Sequence, residues 1–370
     1  MQGFWEELKN KRPFFVLAPM ADVTDVSFRQ AVVKFSRKGE PGGGPDVLWT
    51  EFVSADGLIL GGKESLINDL KFEENERPIV AQLFGSNPET MRQASKLVAE
   101  LGFDGIDINM GCPDKSIEKQ GAGASMIKNP GSAEEIIRAV KTGIHDAGKI
   151  IPVSVKTRIG YHTPEIETWI PFLLKQDIAA LTVHVRTRKE LSKVPARWQF
   201  LKRIVELRDL FAPHTLIIGN GDITDTYIGK KRAKQSGVDG VMIGRSALGN
   251  PWIFDEHSVI KTSLLSIPRF ISQFLPSKWV KKLKGSRKYT VVEKTQQERI
   301  EALLYHTELF DKYLKHHKNF SVIKKHIKAY INGFPGAKEM RAEIFDTVNS
   351  YKELKNFFEN KEKPDKIDPL

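Results

Sequence analysis

The sequence predicts an α/β protein, a (β/α)8 barrel of parallel strands followed by a small all-helical C-terminal domain. Two observations predict the barrel and a third the helical domain. Eight short apolar runs recur through the first 255 residues, at 14–20, 47–53, 78–84, 105–110, 152–157, 180–185, 215–219 and 240–243. They are continuously apolar rather than alternating, as strands covered on both faces are. Stretches of helical periodicity separate most of them, among them 88–101, 133–147 and 198–210. Eight strand–helix units in about 250 residues fit a closed TIM-type barrel. A doubly wound open sheet fits less well, because no Gly-x-Gly-x-x-Gly follows the first run. From residue 295 onward the pattern is helical: apolar residues recur at Ile300, Leu303, Leu304, Leu309 and Phe310.

Taken in order, residues 1–255 read as the catalytic barrel, 256–294 as a basic linker or insertion, 295–360 as the helical domain and 361–370 as a flexible tail. Three segments interrupt the barrel rhythm. Residues 36–46 form a glycine-rich loop, and 189–197 follow the sixth strand as a mobile lid or binding loop. Residues 261–294 hold Pro268, Pro276 and the cluster Lys278, Lys281, Lys282, Lys284, Arg287 and Lys288, which suits a partly helical basic linker or a disordered tether. The last domain divides into helices at 295–315, 320–331 and 337–358, broken by Gly333-Phe334-Pro335-Gly336, and three helices can close a small bundle. The second carries the basic face Lys324, Lys325, His326 and Lys328.

The chemistry gathers at Ile106-Asp107-Ile108-Asn109-Met110-Gly111-Cys112-Pro113. A strand ends here in a tight turn that carries the chain's one cysteine. A lone cysteine is often an apolar filler. At a strand-end turn beside Asn109 and Asp114, however, Cys112 stands where a rigid scaffold usually places reactive groups. Polar or glycine residues follow nearly every other run: Pro19-Met20-Ala21-Asp22, Glu51, Gln82, Lys156 with Arg158, His184 with Arg186 and Arg188, Asn220-Gly221-Asp222, and Gly244-Arg245. In a barrel these converge on the C-terminal face. The turns after the seventh and eighth strands are where barrels commonly bind phosphate, and Arg245 adds a charged donor. Residues 219–222 would also serve as an ordinary turn and helix cap. Lys156 could place positive charge beside an electron-rich ring, or pair with Glu51 or Asp107.

Composition narrows the classes. One cysteine excludes a disulfide framework and a cysteine-rich metal or iron–sulfur site, and fits a reducing compartment. No metal site is expected. No apolar segment of 18 residues is present and the start does not read as a signal peptide, so a cytoplasmic protein with no membrane partner is expected. The net charge is +11 and is unevenly placed: residues 256–370 hold 23 Lys plus Arg against 14 Asp plus Glu, the rest 34 against 32. A basic C-terminal part suits a polyanionic partner, or is a solvated lysine-rich surface. The absence of His-x-Glu with Pro-Cys-x-x-Cys excludes a base deaminase.

The sequence resembles the tRNA-dihydrouridine synthase family, in particular its bacterial-type members. The matching residues, in family order, are Ala18-Pro19-Met20-Ala21-Asp22-Val23-Thr24-Asp25, Asn109-Met110-Gly111-Cys112-Pro113, Gly121-Ala122-Gly123-Ala124, Val155-Lys156-Thr157-Arg158, His184-Val185-Arg186-Thr187-Arg188, Gly219-Asn220-Gly221-Asp222-Ile223 and Gly244-Arg245-Ser246-Ala247-Leu248-Gly249-Asn250-Pro251-Trp252. The match continues at Lys325-His326 and Gly333-Phe334-Pro335-Gly336-Ala337. The resemblance implies an FMN barrel joined to a tRNA-binding helical domain. It implies reduction of the 5,6 double bond of particular uridines, with NADPH or NADH as reductant. It also implies roles. Pro19, Met20, Gln82, Lys156 and His184 would hold the isoalloxazine, and Asn220, Gly221, Asp222, Gly244 and Arg245 the phosphate. The flavin N5 would deliver hydride to uridine C6, with Cys112 as the acid at C5 and Asn109 orienting the uracil. Arg158, Lys324, Lys325 and His326 would meet the RNA, and Arg186 and Arg188 would lie near the flavin edge or the RNA backbone. A monomer with no obligate protein partner is expected.

The chain departs from the family pattern at Val185, where a small residue is usual. The 189–197 loop lacks the usual glycine-rich, tyrosine-containing pattern, and 261–294 is longer than usual. Two rivals remain. One is an FMN-dependent dehydrogenase or reductase of a small pyrimidine-like molecule. The other is a non-catalytic RNA-binding scaffold, against which Cys112 and the phosphate residues argue.

Overall fold

The computed structural model describes residues 3–260 and 290–362. Eight parallel strands follow the predicted runs: β1 (Phe14–Leu17), β2 (Leu48–Ser54), β3 (Ile79–Phe84), β4 (Gly105–Met110), β5 (Val153–Arg158), β6 (Ala180–His184), β7 (Leu216–Asn220) and β8 (Gly240–Ile243). Hydrogen-bonded ladders run in the order β1-β8-β7-β6-β5-β4-β3-β2. At the seam, β1 meets the lead into β2 through one parallel bridge, Val16–Val47. The observed architecture is thus a curled eight-stranded parallel sheet with a helical C-terminal region. The ladder expected between β1 and β2 is limited to that bridge, where Asp46 N–H donates to Phe15 O at 2.7 Å, Leu17 N–H donates to Val47 O at 3.3 Å and the Asp46 carboxylate accepts the Phe15 N–H at 2.7 Å.

Alternation along the strands decides which residues face the concave side. Phe14, Val16 and Ala18 of the first strand region join Trp49, Val80, Leu216, Ile218 and Met242 in one buried cluster. Their neighbours Phe15, Leu17, Leu48, Ile79, Ile217 and Val241 belong to a second cluster, packed against the surrounding helices. The short helix α1 (Phe4–Lys9) sends Trp5 into the concave cluster, 6.0 Å from the Phe14 and Trp49 rings, and so floors it. The same parity carries Gln82, Asn109, Lys156, His184 and Asn220 inward at the C-terminal strand ends.

Helices α2 (Val26–Phe35), α3 (Pro88–Glu100), α4 (Pro130–Asp146), α5 (Trp169–Leu174), α6 (Gln199–Phe211) and α7 (Thr226–Ser236) lie between the strands in sequence. Side chains of Asp25, Asn87, Asn129 and Asp225 cap four of them, and proline opens α3 and α4 where its missing N–H costs nothing. Helices α3 and α4 touch closely at Gly143, where an added Cβ would lie 2.1 Å from Arg92 O. Gly143→Ala is therefore expected to destabilise the fold by about 1–3 kcal/mol, read from the urea midpoint, despite alanine's better helix propensity.

Among the described residues the C-terminal region holds four helices where three were expected: α8 (Gln296–Leu314), α9 (Ser321–Tyr330), α10 (Ala337–Thr347) and α11 (Tyr351–Glu362). The helix expected over 337–358 breaks at Val348, which is extended, and Ser350 Oγ then accepts the Glu353 N–H at 3.2 Å to start α11. The signal was present as Ser-x-x-Glu at 350–353. Helix α11 runs to Glu362, into the tail expected from 361. Most of the expected basic segment, 261–289, and residues 363–370 lie outside the described residues; the flanks Val259–Ile260 and Thr290–Val291 pair antiparallel. An apolar cluster including Val26, Trp252, Leu303, Phe310, Ile327 and Tyr330 joins this region to α2. Among the described residues, no helix is long and apolar enough to cross a membrane.

Candidate active site

The β4 turn is built by its own strand. Asn109 Oδ1 accepts the N–H groups of Gly111 at 3.1 Å and Cys112 at 2.9 Å. Its amide nitrogen donates to Gln82 Oε1 at 3.0 Å, and Gln82 donates in turn to Asp107 at 2.5 Å. Ser154 supplies a second donor to Asp107 at 2.6 Å. Burial pushes Asp107 up to about 6, against these hydrogen bonds, which favour its carboxylate. Gly123 closes the turn from behind: at φ 61° an added Cβ would lie 2.8 Å from Cys112 O. Cys112 is half-buried, and burial pushes its thiol above the ordinary value. The thiol therefore stays protonated at neutral pH, with Lys156 and Arg158 near enough to favour the thiolate once the proton is given up.

Across the Asn109–Lys156 pairing of β4 and β5 lies a cavity of about 450 Å³, whose lining includes Lys156 but not Cys112, Asn109 or Gln82. Nine of the residues predicted from sequence line it: Pro19, Met20, Lys156, His184, Asn220, Gly221, Asp222, Gly244 and Arg245. Lys156 faces it without the salt bridge to Glu51 or Asp107 that was the alternative. Glu51 pairs with Lys318 instead, and Asp107 is bonded to Gln82 and Ser154. Burial first, then Arg158, lowers Lys156 to about 8. His184 is held well below its usual range by burial and by the surrounding Arg158, Lys156 and Arg186. The imidazole is thus neutral. Arg186 Nη1, which can only donate, lies 3.1 Å from His184 Nε2, so the ring proton sits on Nδ1.

Next to His184, Gly221 has φ 127°, and an added Cβ would meet Ala196 Cβ at 2.9 Å and His184 Cδ2 at 3.2 Å. Only glycine adopts this φ and this close approach without strain. Asp222 is partly buried, which raises its pKa, but the Arg186 hydrogen bond, the Ala196 N–H and Arg245 outweigh this and hold it below the usual carboxylate range. Met20 N–H is taken by Thr24 Oγ1 at 2.9 Å. Ser192, Thr224 and Ser246 also line the cavity and were missed. Ser246 and Thr224 sit within two residues of predicted positions; Ser192 arrives only through the fold of its loop.

The residues expected at the RNA divide. Arg158 is buried, its guanidinium donating to Gly111 O at 2.7 Å, Thr187 O at 3.2 Å and Leu191 O at 3.1 Å. Burial lowers it to about 10. Arg186 is buried against Asp222 and Val194 O. Arg188 pairs with Glu118 and so ties the β6 loop to the segment after Cys112. The 189–197 loop, expected as a mobile lid or binding loop, is pinned, with Arg197 N–H donating to Val185 O at 3.1 Å and Glu190 accepting Thr187 N–H at 2.8 Å, and its Ser192 lines the cavity. Lys324 is turned to Phe345 O at 2.8 Å and Lys325 lies 3.5 Å from Asp22. His326 is 0% exposed, packed on Phe28 and His306 at 5.2 and 4.6 Å between centroids, so it has no surface to offer RNA. Helical phase is the reason: His326 lies on the face of Ile323, Ile327 and Tyr330.

Among the described residues no group of three or more His, Cys, Asp or Glu could hold a metal ion. The model of the family described as dihydrouridine synthase matches residues 16–364. The probable tRNA-dihydrouridine synthase of Staphylococcus aureus (strain COL) is 39% identical over 349 residues, 94% of this chain and 92% of its own. The probable tRNA-dihydrouridine synthase 2 of Bacillus subtilis (strain 168) is 40% identical over 352 residues, 94% of each chain. With its strand-end turn, cavity and full-length match together, the chain belongs to the dihydrouridine synthase family.

Proposed function

We infer that this protein is an FMN-dependent oxidoreductase that reduces particular uridines of tRNA to 5,6-dihydrouridine, drawing electrons from NADPH or NADH. The observation that carries the reading is the protonated, half-buried thiol of Cys112 within the field of Lys156, which lines the cation-bearing cavity. The donor set suits FMN. Lys156 offers positive charge to an electron-rich ring, and Arg245 beside the glycine backbone of Gly221 and Gly244 suits a phosphate. Pro19, Met20, Lys156 and His184 would border the ring, with Gln82 acting through Asn109. Asn220, Gly221, Asp222, Gly244 and Arg245 would border the phosphate.

FMN, when bound, supplies the hydride for uracil C6. Cys112 holds the proton for C5 and releases it as charge builds there; Lys156 and Arg158 then stabilise the thiolate. The uridine leaves the tRNA stack to reach the thiol. Asn109, its carbonyl committed to the turn, keeps the thiol in place and presents its amide edge to the base. Arg158 and Arg186 act on the RNA through their field, whereas Arg188, Lys324 and Lys325 are nearer the surface. In the same reading the curled sheet is a closed (β/α)8 barrel over residues 1–255, the helices of 295–360 grip tRNA by backbone charge, and the enzyme works as a cytoplasmic monomer.

Nucleoside mass spectrometry on tRNA from a dihydrouridine-lacking host, incubated with protein, FMN and NADPH, tests the reading. A gain of two mass units on uridine supports it. A yellow protein that oxidises NADPH without that gain would move the small-molecule reductase forward. The rate should also depend on pH in a set direction. The acid form is the active one and burial raises its pKa, so dihydrouridine formation should stay level through neutral pH. It should fall first as Lys156, lowered to about 8, loses its charge, and further above the ordinary thiol value of about 8.5 as Cys112 ionises. A fall centred below pH 7 would contradict a thiol acid.

A further inference from the structure

The helical region meets the strand ends through a polar seam separate from its apolar contact with α2. Glu51, on β2, accepts the backbone N–H of Asp22 with one carboxylate oxygen, and its other oxygen lies 2.5 Å from Lys318 Nζ. Lys318 stands between α8 and α9, and it also reaches Asp69 at 2.8 Å. Side-chain exposure is 13% for Lys318 and 5% for Glu51, so the pair is shielded from solvent. Around it, Asn68 Nδ2 and His317 Nδ1 are 3.1 Å apart, and Lys325 approaches the Asp22 carboxylate at 3.5 Å. Asp22 itself has φ 50°, a conformation that a non-glycine residue keeps only when its surroundings hold it. It lies two residues after Met20, which with Pro19 walls the cavity.

Apolar packing of the helical region on α2 is non-directional and tolerates sliding. A charge pair in a shielded site falls off steeply with distance and defines one register. We propose that Lys318 is a positioning residue for the reaction. By binding Glu51 and Asp69 at once it locks the helical region to the Asp22 turn, and so sets where RNA carried by those helices meets Cys112. The proposal rests on the tRNA reading for its consequence, but not for the lock itself.

The test uses the full-length, flavin-loaded protein with Lys318→Met and Lys318→Arg. Hydrogen exchange in peptides covering 18–25 and 314–323 should quicken at least ten-fold in Lys318→Met and stay unchanged across α4. Flavin content and NADPH-driven flavin reduction should stay within two-fold of the parent. kcat/KM for tRNA should fall at least ten-fold, and Lys318→Arg should restore most of it. Should Lys318→Met fail to fold, Glu51→Gln, which keeps the acceptor for Asp22 but removes the charge, carries the same expectations. Unchanged exchange at both segments would overturn the lock. So would equal losses of flavin content and tRNA turnover, the mark of a merely structural role. A parent protein that makes no dihydrouridine would sink the tRNA reading alone, with the exchange rates still deciding the lock.

Discussion

Cys112→Ala is expected to lower dihydrouridine formation roughly 10²–10⁴-fold, the usual worth of a positioned general acid. The turn that carries Cys112 is held by backbone groups: its N–H to Asn109 and its carbonyl to the Ala124 N–H at 2.9 Å. Removing the sulfur therefore leaves the turn intact and takes away only the proton source. Flavin content and the rate of flavin reduction by NADPH should be nearly unchanged. The decisive measurement is a single turnover, in which protein reduced beforehand is mixed with unmodified tRNA and flavin reoxidation is followed without oxygen. A mutant that reoxidises at the parent rate would remove Cys112 from the chemistry and leave it as the filler that a lone cysteine can be.

The largest stability effect should come from Arg29, which does not line the cavity. Its Nε pairs with Glu76 at 2.5 Å with both side chains 0% exposed, and its remaining nitrogens donate to Thr24 O at 2.7 Å and Lys71 O at 2.6 Å. One guanidinium thus ties the start of α2 to the segment before β3. Arg29→Met is expected to cost about 3–5 kcal/mol, because it leaves a buried carboxylate supported only by Gln30, at 3.0 Å, and backbone capping contacts. Arg29→Met with Glu76→Leu should recover part of that loss, since no charge then stays buried unpaired, but not all, since two carbonyls lose their donor. Urea denaturation of the parent, the single and the double variant measures it. A double variant no more stable than the single would show that the cost lay in the carbonyl contacts or in packing, not in the stranded charge.

How much of this was legible in advance follows from the kind of signal involved. All eight strands lie within their predicted runs to within one residue or a few, because strands covered on both faces must be apolar throughout. The residues lining the cavity were legible for the same reason: strand ends on one parity converge once the sheet curls. The split at Val348 was legible too, in Ser350 and Glu353, but the apolar spacing across it masked the cap.

What the chain by itself determined, then, was the set of elements and the list of groups at their C-terminal ends. Those depend on local backbone preference and on the period of the apolar pattern, both written along the sequence. Only the tertiary structure decided what each charged group faces. Arg158 was read as an RNA contact and Arg186 as lying near the flavin edge or the RNA backbone, and both are buried, against backbone carbonyls and Asp222; His326 was read as surface and is enclosed by Phe28 and His306. Lys156 was left with Glu51 as a possible partner, and Glu51 went to Lys318, 267 residues away. A charge interacts with whatever lies within a few ångströms in space. That neighbourhood is assembled from distant segments, so no spacing along the chain encodes it.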